Sequence, residues 1–399
     1  MKWEKKTLDE LGTVGRGRSK HRPRNDPKLF GGKYPFIQTA DVKNANFYII
    51  NFSSTYNEEG LAQSKLWPAG TLCITIAANI ADTGILAIPA CFPDSIMGFV
   101  ANEEIADTRF VKYCFDVLQK ECKQISQGTA QDNLSWEKLS TIKFLVPPLQ
   151  TQKRIASILS AYDDLIENNQ KHIKLVEEAA QRLYKEWFVD LRFPGHEGVK
   201  IVDGVPEGWK IKKIEELADT MSGGTPTRSH EEYYSSGEIL WLKTKELNDG
   251  FIFDTEEKIT EAGLKNSSAK LFEKGCIILA MYGATIGRLG ISSVTMCCNQ
   301  ACCVLKIKEI FLFEYVYLWL VNNREMLISR GRGSAQSNLS QELIKQIEVR
   351  IPSDGVLTKF SNVVDKLLKN KEILEKQISS LREARDRLLP KLMSGEIEV

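Results

Sequence analysis

"GTAQDNLSWEKL" (Gly128–Leu139) and "GSAQSNLSQELI" (Gly333–Ile344) are two versions of one phrase, set 205 positions apart in a chain of 399 residues. Solenoid repeats recur every ~20–50 residues, so an offset of half a chain points to two copies of a domain-sized unit. The offset persists downstream. Pro147 falls on Pro352, Ile173 on Ile378 and Val176 on Leu381, while Glu178-Ala179 and Arg182-Leu183 fall on Glu383-Ala384 and Arg387-Leu388. Upstream it is looser: Gly70 falls on Gly275 and Thr39 on Thr244, and one added residue brings Trp3 onto Trp209 and Glu10-Leu11 onto Glu216-Leu217. The rear third of each copy is thus better matched than its front.

Composition sets bounds. An apolar content of 43% in a chain of this length supports two or more packed cores. Basic and acidic residues balance at 53 against 52, which does not advertise nucleic-acid binding, although overall neutrality can hide a local basic face. "MKWEKKTLDELG" has no secretory pattern, and no apolar run approaches ~18 residues, so neither a signal peptide nor a membrane span is expected. Nine cysteines without regular spacing read as reduced thiols of a cytoplasmic protein.

The front of each copy reads as mixed α/β. "YPFIQTADV" and "ILWLKTKEL" look like strands running into loops, and "TLCITIAANI" and "CIILAMYGAT" are apolar runs of strand length preceded by a glycine. "ADTRFVKYCFDVLQKECKQI" and "FLFEYVYLWLVNNREMLISR" have helical spacing and hold matching places ahead of the duplicated phrase.

The rear is different. Ile155, Leu159, Tyr162, Ile166, Asn169, Ile173, Val176, Ala180, Leu183 and Trp187 step by four then three, an unbroken heptad seam. At the same offset stand Phe360, Val364, Leu367, Lys371, Leu374, Ile378, Leu381, Arg385, Leu388 and Leu392, the same frame with two basic interruptions. Each seam spans roughly 50 Å at ~1.5 Å per residue. A helix that long is not stable alone in water, and its obvious partner is the other helix of the chain. Asn169, Lys371 and Arg385 would cost stability there but fix register. The competing arrangement packs each helix on its own globule.

Between the copies, Val189–Trp209 is rich in Gly and Pro and reads as a linker. The fold class expected is α+β: two mixed α/β heads separated by two long helices paired as an antiparallel coiled coil, a pseudo-twofold tandem repeat. The boundaries are 1–149 for head one, 150–190 for the central helix, 191–208 for the linker, 209–354 for head two and 355–399 for the second helix. If this paired arrangement and the reading developed below hold, a half-length chain truncated near Leu191 keeps one head and one helix and pairs with a copy of itself through its seam.

Two separated heads in pseudo-twofold relation suit duplex DNA, whose strands run antiparallel. In copy one, Arg16, Arg18, Lys20, Arg22 and Arg24 lie in a Gly/Pro-rich loop, able to neutralise phosphates or reach guanine edges. The blander alternative is a solvated basic loop. In copy two, Thr225, Thr227 and Arg228 suit phosphates, with Gly223 and Gly224 allowing close approach. Gln38 and Thr39, matched by Lys243, Thr244 and Lys245, and also Tyr282 and Arg288, complete the candidate DNA contacts.

The sequence resembles the specificity subunits of Type I restriction-modification enzymes over essentially its whole length. The resemblance rests on "GTAQDNLS…FLVPPLQTQKRIASIL" and "GSAQSNLS…VRIPS", on "VPEGWK" opening the second half, on "SGGTPTR…YY…ILWLKT", and on the two long helices. It implies two target recognition domains, each reading one half of an interrupted sequence in double-stranded DNA, with the paired helices as spacer. It implies docking of two methyltransferase (M) subunits that use S-adenosylmethionine to methylate adenine N6, and restriction (R) subunits that use ATP and Mg in the full complex. It implies no cofactor and no catalysis on this chain. Two departures stand out: "PSDGVLTKF" replaces "PPLQTQKRI" before the second helix, and "VGRGRSKHRPR" in head one replaces "SGGTP". Unlike heads fit an asymmetric target.

Shared residues in heads that read different sequences should build junctions or touch phosphates rather than read bases. Asn133, Ser135, Asn338 and Ser340 are therefore candidate helix caps, and Gln131 and Gln336 candidate backbone or phosphate partners. No catalytic set competes. The methyltransferase Asp/Asn-Pro-Pro-Tyr motif and the phosphate-binding G-x-x-x-x-G-K-[ST] loop are absent, and the four histidines lie apart. "CCNQACC" lacks zinc-knuckle spacing and has no cysteine counterpart in copy one, so buried thiols are the simpler reading. From another class of function, a coiled-coil scaffold joining two proteins would share the helices but not need the Arg/Gly loops.

Overall fold

The computed structural model describes residues 3–76, 82–125, 136–202, 204–331 and 338–399. They form two compact units, Met1–Asn168 with Ile378–Val399 and Asn169–Gln377. The sequence boundaries drew heads apart from helices. The units are divided along another line, each holding one head and a stretch of both long helices.

The heads share one topology. In the first, a five-stranded sheet has the spatial order Gly12–Arg16, Ile96–Ala101, Leu72–Thr75, Thr83–Leu86, Tyr48–Ile49, with only the last pair parallel. In the second the order is Ala218–Ser222, Cys302–Ile307, Ile277–Ala280, Leu289–Ser292, Gly250–Ile252, again with only the last pair parallel. The middle strands Leu72–Thr75 and Ile277–Ala280 are buried throughout. Burial on both faces explains why they read as continuous apolar runs rather than alternating ones. Each is approached through a glycine in the left-handed region, Gly70 at φ 82° and Gly275 at φ 83°. Their amides bond equivalent carbonyls, Leu86 at 2.9 Å and Ser292 at 2.7 Å. A small antiparallel pair closes each head: Glu4–Lys6 with Phe144–Val146, and Lys210–Lys213 with Glu348–Ile351.

The strand runs at Phe30–Phe36 and Ile239–Leu242 lead into short helical turns, Thr39–Asn44 and Thr244–Glu246, not open loops. Gln38 and Lys243 precede these turns, and their amides are bonded by the carboxylates of Asp41 at 2.7 Å and Glu246 at 3.0 Å. An amphipathic helix, Thr108–Ile125, packs on the first sheet; the matching stretch of the second head breaks at Asn323 into Phe313–Asn322 and Arg324–Gly331.

The first long helix is Leu149–Tyr184, extended by one wider turn, Lys185–Val189; the second is Asp354–Ser394. On the first, Ile155, Leu159, Ile166, Asn169, Ala180 and Trp187 are buried, and Tyr162, Ile173, Val176 and Leu183 half-buried. On the second, Phe360, Val364, Lys371, Leu374, Ile378 and Leu392 are buried, and Leu367, Leu381, Arg385 and Leu388 half-buried. No seam position faces solvent freely, whereas the flanking Leu165 and Leu175 are 51% and 62% exposed.

Within each unit the two helices run antiparallel. In the first, Ile155 and Leu159 share a core with Leu389, Leu392 and Met393, and Asp163 meets Arg385. In the second, Asn169 bonds Gln377 and Glu177 meets Lys371, while Tyr184 and Trp187 pack against Phe360. The helices are not docked on the heads alone: head and both helix segments contribute to one core in each unit.

Candidate nucleic-acid interface

In both heads the first edge strand leaves its sheet through a glycine pressed against the loop before the neighbouring strand. A Cβ on Gly17 would sit 2.2 Å from the Pro93 carbonyl oxygen, and one on Gly223 would sit 1.9 Å from that of Cys298. One residue on, the Arg18 amide donates to Phe92 and the Gly224 amide to Cys298, both at 2.9 Å. The Arg-rich loop and the "SGGTP" loop therefore depart from one scaffold in equivalent positions. The close approach at Gly223 and Gly224 is to the protein's own chain, not to a phosphate as the sequence suggested, because both glycines are buried against Cys298 and Ser268.

Arg16, Arg18, Lys20, Arg22 and Arg24 are all exposed. Asp94 organises part of the set: Arg16 Nε donates to its backbone oxygen at 2.5 Å, and Arg24 reaches its carboxylate at 2.7 Å. Arg22 bonds the carbonyls of Ser19 at 2.6 Å and His21 at 2.8 Å. The loop is held from beneath by Ser64 Oγ donating to the Arg18 carbonyl at 2.7 Å and by the His21 amide donating to Gln63 at 3.0 Å. A hydrogen bond from His21 holds the Asp26 carboxyl below its ordinary range. The side chains of Arg18 and Lys20 have no acceptor among the described residues. The loop thus presents two unengaged cations and three that internal acceptors hold in place. Gln38, exposed, bonds Ser54 at 3.3 Å, and Thr39 is half-buried.

Head two builds a different surface on the same frame. Thr225 donates to Gln300, which stands where Asp94 stands in head one. Arg228 lies 4.4 Å from the ring centre of Tyr234 and 5.0 Å from that of Trp241, and is paired to Glu257 at 2.7 Å. Lys243 also meets Glu257. Burial pushes the Glu257 carboxyl up, but hydrogen bonds from Lys243 and Arg228 outweigh it and hold the group below its usual range. Tyr234 and Trp241 are fixed in turn by donating to the carbonyls of Pro226 at 2.6 Å and Gly224 at 2.9 Å. A planar guanidinium packed on two rings is preorganised for recognition. Thr227 is exposed, Thr244 half-buried, and Lys245 pairs with Glu256. Arg288 is exposed, whereas Tyr282 packs on the core of its unit and burial pushes its hydroxyl up. That placement makes Tyr282 first a packing residue.

The sequence reading missed Asp94, Gln300, Glu257, Tyr234 and Trp241, the groups that orient the cations and Thr225. Tyr234 and Trp241 lay within the quoted "YY" and "ILWLKT" with no role assigned, and the linear signal for Asp94 and Gln300 was their 206-residue spacing. Of the duplicated phrase, Gln131, Asn133, Ser135 and Gln336 lie outside the described residues. Ser340 caps the turn Gln341–Lys345, accepting from the Leu343 amide at 3.0 Å, and the Leu339 amide ties it to the Met281 carbonyl at 2.8 Å. Asn338 is exposed and caps nothing; its amide bonds the Gly331 carbonyl at 3.2 Å. Among the described residues no group of His, Cys, Asp or Glu is placed to hold a metal ion, and the thiols of "CCNQACC" are free and buried. No described helix is long and apolar enough to cross a membrane.

A family profile described as "Type I restriction modification DNA specificity domain" matches residues 1–178 and again 206–383. The type I restriction enzyme MjaIX specificity subunit of Methanocaldococcus jannaschii is 26% identical over all of this chain and 94% of its own length. The HindI specificity subunit of Haemophilus influenzae is 24% identical over 91% of this chain and 94% of its own length. The crystal structure of a Type I restriction-modification S subunit from M. genitalium superposes with a TM-score of 0.63 at 18% identity, covering 98% of this chain and 96% of the other.

Proposed function

Because the chain belongs to the Type I restriction-modification DNA specificity family, twice over along its length, we propose that each head reads one half of an interrupted target in double-stranded DNA. The observation that carries this reading is the contrast between the heads. Strand order, edge-strand glycine and loop departure are the same, yet one loop displays arginines around Asp94 and the other a ring-packed Arg228 with Thr225. A constant frame with unlike polar surfaces is what two different half-sites require.

Arg18 and Lys20 contact phosphates in this proposal, and Arg16, Arg22 and Arg24 are aimed cations beside them. In head two, Thr225, Thr227, Arg228, Lys243 and Lys245 play these parts, with Arg288 and Thr244 at the margins, as Gln38 and Thr39 are in head one. The paired helices set the spacing between half-sites and dock two M subunits, which methylate adenine N6 with S-adenosylmethionine. R subunits, using ATP and Mg, complete a restriction complex in the cytoplasm. This chain supplies recognition and assembly, not catalysis.

Replacing Arg16, Arg18, Arg22 and Arg24 with Ala tests the reading. The variant should assemble with its M subunit as the parent does, while recognition of one half-site weakens and the other is unaffected. Loss of M binding with DNA recognition intact would show that the loop belongs to the protein interface instead.

A further inference from the structure

The long helices meet through polar layers as well as apolar ones, and the charges on the two helices are of opposite sign. In the first unit the Asp163 side chain, 6% exposed, accepts from the Arg385 guanidinium on one oxygen and from the Tyr113 hydroxyl at 2.6 Å on the other. In the second unit the Lys371 side chain, 3% exposed, reaches the Glu177 carboxylate and the Asp249 carbonyl oxygen, each at 2.5 Å. Both pairs place the acid on the first helix and the base on the second. They also keep one antiparallel register: fourteen residues forward on the first helix, from Asp163 to Glu177, correspond to fourteen back on the second, from Arg385 to Lys371.

The helices share a frame at an offset of 205, so this register also fixes what each residue would meet in a helix paired with its own copy. Asp163 would face Ala180, and Glu177 would face Ile166. Lys371 would face Arg382, and Arg385 would face Leu368. In the native fold Ala180 and Leu368 are both buried in the apolar core of the second unit. A dimer of first helices would therefore leave both copies of the buried Asp163 without a cation, and a dimer of second helices would set the buried Lys371 of each copy against Arg382 of the other. A buried charge stripped of its partner is strongly destabilising, and repulsion in the wrong complex is how pairing specificity is commonly built.

We propose that Asp163 and Glu177 on one helix, with Arg385 and Lys371 on the other, form a pairing code that makes each helix accept the other and reject a copy of itself. This replaces the expectation that a half-length chain pairs with itself through its seam and reads a symmetric target. Its consequence, which rests on the proposed function, is that separated halves of the chain would rebuild a particle with two unlike heads and an asymmetric target rather than symmetric particles of like halves.

The test uses the whole chain with a protease site placed after Gly198, in the exposed stretch of the linker. The purified protein is cut, carried through urea and back so that all pairings compete, and weighed by native mass spectrometry. Neither DNA nor a partner is needed, so failure of the recognition reading does not affect the result. One-to-one pairs of unlike halves should outnumber like pairs by more than about a hundredfold. In a second protein, Lys371→Glu with Arg385→Asp should abolish that preference, and adding Asp163→Arg with Glu177→Lys should restore it. Like and unlike pairs forming in statistical proportion from the unsubstituted protein would overturn the proposal even if the charge-reversed chain failed to fold. So would an undiminished preference in a folded Lys371→Glu, Arg385→Asp chain.

Discussion

Lys371→Met removes one ammonium from the seam and leaves its surroundings in place. Burial opposes the charge on Lys371, but Tyr317, Glu375 and Glu177 outweigh it and keep the group's pKa above the ordinary value. After substitution, Glu375, whose side chain is only 19% exposed, keeps the Phe251 amide at 2.6 Å but loses its cation. The Asp249 carbonyl oxygen still accepts from the Tyr317 hydroxyl at 2.8 Å. Breaking a buried pair from one side costs about 3–5 kcal/mol. Glu177 is 39% exposed, so water answers much of its share. The expected loss is therefore at or below the lower end of that range, ~2–3 kcal/mol. In a unit of about 200 residues that lowers Tm by roughly 4–12 °C. Scanning calorimetry of the full chain measures it, with Glu177→Gln as a control expected to cost no more than ~1 kcal/mol. The deficit should shrink as the pH falls through the carboxylate range, because burial already raises the Glu375 pKa and its neutral form needs no cation. A Lys371→Met chain as stable as the parent at neutral pH would show that Lys371 does not stabilise this layer.

Glu314 is buried, and burial raises its pKa despite a hydrogen bond from Ser361 at 2.8 Å. A raised carboxyl destabilises the fold when ionised, so its penalty is absent below the unfolded pKa and grows as pH rises toward the folded one. Glu314→Gln should thus raise Tm at pH 7, with the gain closing near pH 4. Gly223→Ala forces a Cβ into the Cys298 carbonyl and should cost about 1–3 kcal/mol in chemical denaturation. Arg228→Lys keeps the charge but loses the planar packing on Tyr234 and Trp241. DNA affinity of the complex with M should fall while its salt slope holds, whereas Arg228→Ala should reduce that slope by about one.

Periodicity carried much of the fold into view. The four-three stepping from Ile155 to Trp187 and from Phe360 to Leu392 names buried or half-buried positions throughout, because a coiled seam is a local, regular property of sequence. Lys371 and Arg385 were visible as interruptions, but their partners Glu177 and Asp163 were not, since choosing a partner needs the register between two helices. The candidate interface followed the same division. Arg16 to Arg24 announce themselves by density. Asp94 and Glu257, which hold the cations, are single acids distant in sequence and brought close only by the sheet. Gly223 shows the converse error: a glycine beside polar residues suggested ligand approach, while its tight neighbour is the chain's own carbonyl.

The central claim is that this chain chooses the DNA sequence on which a partner acts. The most direct measurement is to express it with its cognate M subunit in a host free of adenine methylation and to map N6-methyladenine across the genome. One interrupted, asymmetric motif should appear only when this chain is present, with one half lost when Arg16, Arg18, Arg22 and Arg24 become Ala. No new methylation, from a soluble complex whose M subunit is active, would contradict it.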